Sequence, residues 1–148
     1  MRQKFIRMAV GLLIVAAHGC RPQDSVVVRN PMDPAQERLL ELVNAYWQYN
    51  ISNRVPPRSA ADLEPILRER GIEDDVFRSP RDGELFVVCW GTNAVRPIQG
   101  TAAHPILAYE KAGRDGGRFV VLAERKVELL TEDEFLQASF PTGYAPAR

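Results

Sequence analysis

Apolar positions between Asp33 and Asn50 recur at helical spacing. At about 100° per residue, Leu39, Leu40, Leu42, Val43, Tyr46 and Trp47 gather on one side, and Glu37, Arg38, Glu41, Asn44 and Gln48 fall opposite. Asp33-Pro34-Ala35-Gln36 opens this helix with an Asp cap, proline at the first helical position and a Gln that reaches back. The pattern predicts an end near Asn50, before the breaker run Asn53-Arg54-Val55-Pro56-Pro57. Ser59-Ala60-Ala61-Asp62 caps a second, shorter helix, which Pro65 interrupts unless a new turn begins there. Gly71 is its stop. In Ser79-Pro80-Arg81-Asp82-Gly83, proline presets φ and Gly83 suits the left-handed conformation, so this stretch reads as a turn.

Beyond Gly83 the period shortens. Leu85–Trp90, Ile106–Glu110, Arg118–Ala123 and Lys126–Leu130 are rich in β-branched and aromatic residues and read as strands. Gly113, Gly116 and Gly117 fit a hairpin loop between the second and third. Thr131-Glu132-Asp133-Glu134 is a capping box that opens a last short helix through Gln137. Alternation puts Leu85, Val87 and Cys89 on one side of the first strand and Phe86, Val88 and Trp90 on the other. Ile106 and Ala108 oppose Leu107 and Tyr109 in the same way. The expected fold is a single α+β domain, an amphipathic N-terminal helix packed on a four-stranded antiparallel meander. One helix covers one sheet face, so the second needs other cover. Candidates are the loop Thr92–Ala103, the tail with Phe140 and Tyr144, or another protein docking on an exposed patch centred on Trp90, with Phe86 and Val88.

Element order adds a resemblance. The long helix, the Pro-Pro-x-Ser segment leading to Asp62-Leu63, and the meander of Ser79–Gly91, Ile106–Glu110 and Phe119–Ala123 are similar to the globular part of type II secretion pseudopilins. The similarity spans about residues 34–137 and implies a pilin-like fold. Two features depart from that family. A short signal replaces the long apolar helix through which pilins polymerise. Glu124-Arg125 stands where Asp-Gly would suit a tight primed turn far better. No pilin functional residue carries over to this chain.

The N-terminus predicts an address. Arg2, Lys4 and Arg7 precede ten apolar residues, Met8–Ala17, which as a helix would reach about 15 Å against a bilayer core of about 30 Å. The run ends in His18-Gly19-Cys20. Ala16-Ala17-His18-Gly19-Cys20 resembles the lipobox of bacterial lipoproteins, in which a small residue precedes the acylated cysteine. The resemblance implies removal of residues 1–19, lipidation of Cys20 and attachment to a membrane through the lipid. Arg21 follows where an inner-membrane retention signal would resemble Asp, which favours the outer membrane in a cell that has two. Residues 20–33 read as the lipidated cysteine and a tether, 34–137 as the domain, and 138–148 as a flexible tail.

Charge and chemistry narrow the function. Loss of residues 1–19 reduces 19 basic residues to 16 against 19 acidic, a net charge of −3, which leaves no basic footprint for nucleic acid. Cys89 is the one cysteine after Cys20, so a disulfide within the domain is excluded. Its apolar setting reads as burial and not as a reactive thiol. His104, before Pro105, lacks motif partners for nucleophilic catalysis and reads as a loop residue. Glu73-Asp74-Asp75 lacks the alternation of a calcium loop and reads as a solvated acidic turn. No metal, cofactor or small-molecule substrate is expected. The reading is a non-enzymatic, lipid-anchored envelope protein with an envelope protein as partner. The alternatives are a small envelope enzyme using His104 and carboxylates, or a soluble secreted protein without lipid.

Overall fold

The computed structural model describes residues 32–72, 74–95 and 104–146. The chain divides into two units, Met1–Asn30 and Pro31–Arg148, and the described residues belong to the second. The signal, Cys20, most of the tether, Glu73 and the greater part of the Thr92–Ala103 loop lie outside them.

Helix α1 spans Pro34–Asn53. The Asp33 carboxylate accepts from Ala35 N at 2.8 Å, and the Gln36 side chain accepts from Asp33 N at 3.3 Å, the reciprocal cap that the sequence spells out. The helix runs one turn past its expected end because Asn50 is used inside the fold. Asn50 is buried, and its Oδ1 accepts from Ala94 N. Termination falls instead on Arg54, in the left-handed region. The second helix divides where Pro65 stands: a 3-10 turn, Ala60–Asp62, gives way to α2, Glu64–Glu69, with the proline in its first turn.

Strands β1 (Val87–Val88), β2 (Ile106–Tyr109), β3 (Gly117–Leu122) and β4 (Val127–Thr131) form one antiparallel sheet in the order β1-β2-β3-β4. The meander is as expected, but its first strand is shorter. Of Leu85–Trp90, Val87 and Val88 form the strand with β2 and Cys89 N adds a bond to Leu107 O at 2.8 Å, while Leu85 bridges to Arg78. Asp115 and Gly116, both at positive φ, close the β2–β3 hairpin, and Arg114 and Gly117 exchange N–H···O bonds across it. The β3–β4 turn solves the Glu124-Arg125 problem with a third residue. Arg125 N donates to Leu122 O, Leu122 N donates to Lys126 O, and Arg125 takes φ 66°.

The simple alternation expected for β2 is overturned by a bulge. Ile106 pairs with Leu122 and Ala108 with Val121, so two residues advance on β2 for one on β3. Leu107 and Ala108 therefore share the α1 side, while Ile106 and Tyr109 share the other. The α1 side buries Leu39, Leu42, Val43 and Tyr46 against Phe86, Val88, Phe119 and Val121. The far side is closed by α3 (Glu132–Gln137) and the segment after it. Phe135, fully buried, lies 4.9 Å from the Tyr109 ring centroid and 5.4 Å from Phe140. Residues 138–146 correct the expectation of a loose tail. Ser139 O accepts from Ile106 N at 2.9 Å, Pro141 is buried, and the Tyr144 hydroxyl donates to Trp90 O at 2.8 Å.

Candidate functional site

The surface expected around Trp90 is not free. Phe86 and Val88 are each 7% exposed and pack in the α1-side core. The Trp90 ring stacks on Tyr46 at 6.1 Å between centroids. These three do share one side, as alternation requires, but that side is the one α1 covers. The other side is closed by Phe135 and Phe140. The tail that supplied one candidate cover therefore provides part of it.

Under Trp90 the polar groups are hydrogen-bonded within the chain. The Tyr46 hydroxyl donates to Thr92 O at 2.8 Å and lies 3.3 Å from Cys89 O. Burial raises the Tyr46 phenol well above its ordinary value and raises Tyr144 as well. Burial also pushes the Cys89 thiol up to about 12. A thiol held protonated and fully enclosed is a packing group and no nucleophile.

The densest polar constellation joins residues that sequence reasoning did not connect. Glu110 follows the four buried residues of β2 and is itself fully buried. Its Oε1 accepts from Ser79 Oγ at 2.6 Å. Its Oε2 accepts from Arg81 Nη1 at 2.6 Å and from Phe119 N at 2.8 Å. The Arg81 guanidinium also lies 4.6 Å over the Phe119 ring and donates to Arg114 O at 2.8 Å. Asp82 Oδ2 accepts from Ala112 N and Gly113 N. A serine bonded to a carboxylate looks like half a catalytic dyad. Here Ser79 is 1% exposed, and the carboxylate is neutralised by arginine, so the chemistry is that of a fastener. It ties the Ser79–Gly83 turn to the β2–β3 hairpin. The signals in the sequence were a charged residue ending an apolar strand and a turn carrying the opposite charge.

A second buried charge sits on the far face. Arg118 donates to Lys111 O at 3.0 Å and to Glu132 Oε2 at 2.5 Å, and its guanidinium lies 4.1 Å over Phe135. This pins the start of α3 to the sheet.

The remaining sequence candidates stay apart. His104 pairs through Nε2 with Glu124 Oε2 at 3.2 Å, both exposed and beside the β3–β4 turn. Asp75 binds Arg38 at 2.5 Å, a use of the acidic turn in packing against α1. Among the described residues no group of three or more His, Cys, Asp or Glu side chains is placed to hold a metal ion, and no helix is long and apolar enough to cross a membrane.

An open groove of about 500 Å³ runs along α1 between Trp47, Ile51, Arg70 and Arg125. Trp47 Nε1 donates to Ala123 O at 2.7 Å, and the Arg125 guanidinium lies 5.1 Å over its ring. The groove's floor is thus fixed by the β3–β4 turn. It is broad and shallow, with an indole, one exposed isoleucine and side-chain amides for contact. Set against known protein families, curated proteins and solved structures, the chain finds no match.

Proposed function

We propose that the chain is a lipid-anchored protein of the cell envelope, in which Cys20 carries the anchor and the α+β domain acts as a non-enzymatic interaction or assembly module. The observation that carries the reading is the ending of a short, cationically flanked apolar run at Cys20. The order of elements supports a pilin-like character for the domain: one long helix on a four-stranded antiparallel meander, closed by a short capped helix. Its polar interior supports a structural use of the buried groups, since Glu110, Ser79 and Arg81 bind one another and the backbone.

Membrane fractionation tests the anchor and the address together. The full chain should sediment with membranes, resist extraction by high salt and be released by mild detergent. The Cys20→Ala chain should lose that behaviour. Equal partitioning of the two proteins would remove the basis of the reading.

A further inference from the structure

We propose that Asp115 is a site of spontaneous aspartyl isomerisation, at which its carboxyl carbon condenses with the backbone nitrogen of Gly116, while the fold holds back the same step at Asp82. The chain contains Arg-Asp-Gly twice, at Arg81-Asp82-Gly83 and Arg114-Asp115-Gly116, and has no Asn-Gly. An Asp-Gly step favours this reaction because glycine has no Cβ to shield the attacking nitrogen or to restrict its approach. Local sequence therefore gives the two sites equal standing. Both glycines also take positive φ, 75° at Gly83 and 82° at Gly116, and a Cβ on either would meet open space. What separates the sites is how their polar groups are bound.

At Asp82 both reacting groups are held elsewhere. Oδ1 accepts from Glu84 N at 2.9 Å, and Oδ2 accepts from Ala112 N at 3.3 Å and Gly113 N at 3.2 Å. Gly83 N donates to Ser79 O at 2.9 Å, so ring closure there must give up all of these bonds. At Asp115 neither group is held. Asp115 and Gly116 are the exposed tip of the β2–β3 hairpin. Among the described residues the Asp115 carboxylate and Gly116 N take part in no hydrogen bond or ion pair.

The step needs only water. Gly116 N attacks Asp115 Cγ, a C–N bond forms, and the carboxyl hydroxyl leaves with the amide proton as water, giving a five-membered imide. Water then reopens the ring. Addition at Cγ restores aspartate. Addition at the main-chain carbonyl breaks its bond to Gly116 N and routes the chain through Cγ, as isoaspartate. That product lengthens the tip by one main-chain carbon, and a two-residue turn so lengthened cannot keep both Arg114–Gly117 bonds, now 2.8 and 3.1 Å. Arg114 O accepts from Arg81 Nη2 at 2.8 Å, and Arg114 Nη1 donates to Arg81 O at 3.1 Å. Isomerisation at the tip therefore works against the Arg81–Glu110 fastener. The reaction does not depend on acylation of Cys20.

Peptide mapping after incubation in heavy-oxygen water tests this on the full chain carrying Cys20→Ser. Isomerisation leaves the mass unchanged, but each opening of the imide introduces a heavy oxygen, and chromatography separates aspartyl from isoaspartyl peptides. In the native fold, label and isoaspartate should accumulate several-fold faster at Asp115 than at Asp82. In denaturing guanidinium chloride the two rates should converge, as their shared Arg-Asp-Gly sequence requires. Aged protein should unfold at lower urea than fresh protein. Asp115→Glu, whose longer side chain would have to close a six-membered ring, should show no such loss against its own fresh sample. Equal native rates, faster conversion at Asp82, or a difference that persists in the unfolded chain would overturn the proposal. Isoaspartate at Asp115 with an unchanged urea midpoint would overturn its link to the fastener.

Discussion

Arg81 Nη1 and Glu110 Oε2 stand 2.6 Å apart with the Glu110 side chain wholly out of solvent. Removing one partner from such a pair costs about 3–5 kcal/mol, whereas replacing both with apolar residues is often near neutral. Arg81→Ala should therefore lower the urea midpoint strongly. The double replacement Arg81→Met with Glu110→Met should recover most of the loss. Equal destabilisation by the single and double variants would mean that the pair is not coupled.

The groups beneath Trp90 predict an alkaline weakness. Cys89 is raised from 9.0 to about 12, and Tyr46 and Tyr144 are raised above 10.0. Each stays protonated in the fold while the unfolded chain ionises. Their contribution is complete below about pH 9 and is lost as pH climbs toward 12. Denaturation midpoints should fall across that window. Tyr46→Phe with Cys89→Ala should flatten the fall, although Tyr46→Phe alone costs about 1–2 kcal/mol at pH 7 through its lost hydrogen bonds. A profile of unchanged slope would contradict this account.

Gly113 and Gly116 separate backbone strain from crowding. Both have positive φ, but a Cβ on Gly113 would meet Gly117 O at 2.7 Å and Arg118 Cβ at 2.8 Å, while one on Gly116 meets open space. Gly116→Ala should cost about 1 kcal/mol from strain. Gly113→Ala should cost a further 1–3 kcal/mol or so from overpacking. Thermal unfolding of the two variants compares them directly, and equal losses would refute the crowding at Gly113.

The α3 cap predicts a small acid effect. The Thr131 backbone N–H and hydroxyl, both donating to Glu134 Oε2, hold its carboxyl below the ordinary value of 4.5. This contribution is present above pH 4.5 and is lost as pH falls through the lower folded value. Glu134→Gln keeps the reciprocal cap but should remove that part of the acid dependence. Thr131→Ala should cost about 1 kcal/mol at pH 7. Identical acid profiles for Glu134→Gln and the natural chain would sink the assignment.

Local signals were legible and distant ones were not. Both capping boxes, the Pro65 break, the Gly83 turn and the strand order follow from residues within a few positions of one another. Asn50 looked like a stop, yet it extends α1 because its partner, Ala94 N, is far along the chain. The bulge at Leu107 was invisible because Ile106–Tyr109 is apolar throughout, and such a run carries no period to reveal a slip. Phe140 was among the candidate covers for the second face, but Phe135 could not be assigned there, since a six-residue helix has no face of its own. Glu110 was overlooked for the same reason: its partners, Ser79 and Arg81, lie about thirty positions away.

The measurement that bears most directly on the central claim is the intact mass of the protein extracted from membranes with detergent. The account predicts a chain that begins at Cys20 and carries the added mass of acyl groups, with Cys20→Ala giving no such species. A mature chain with an unmodified Cys20, or one that still begins at Met1, would contradict it.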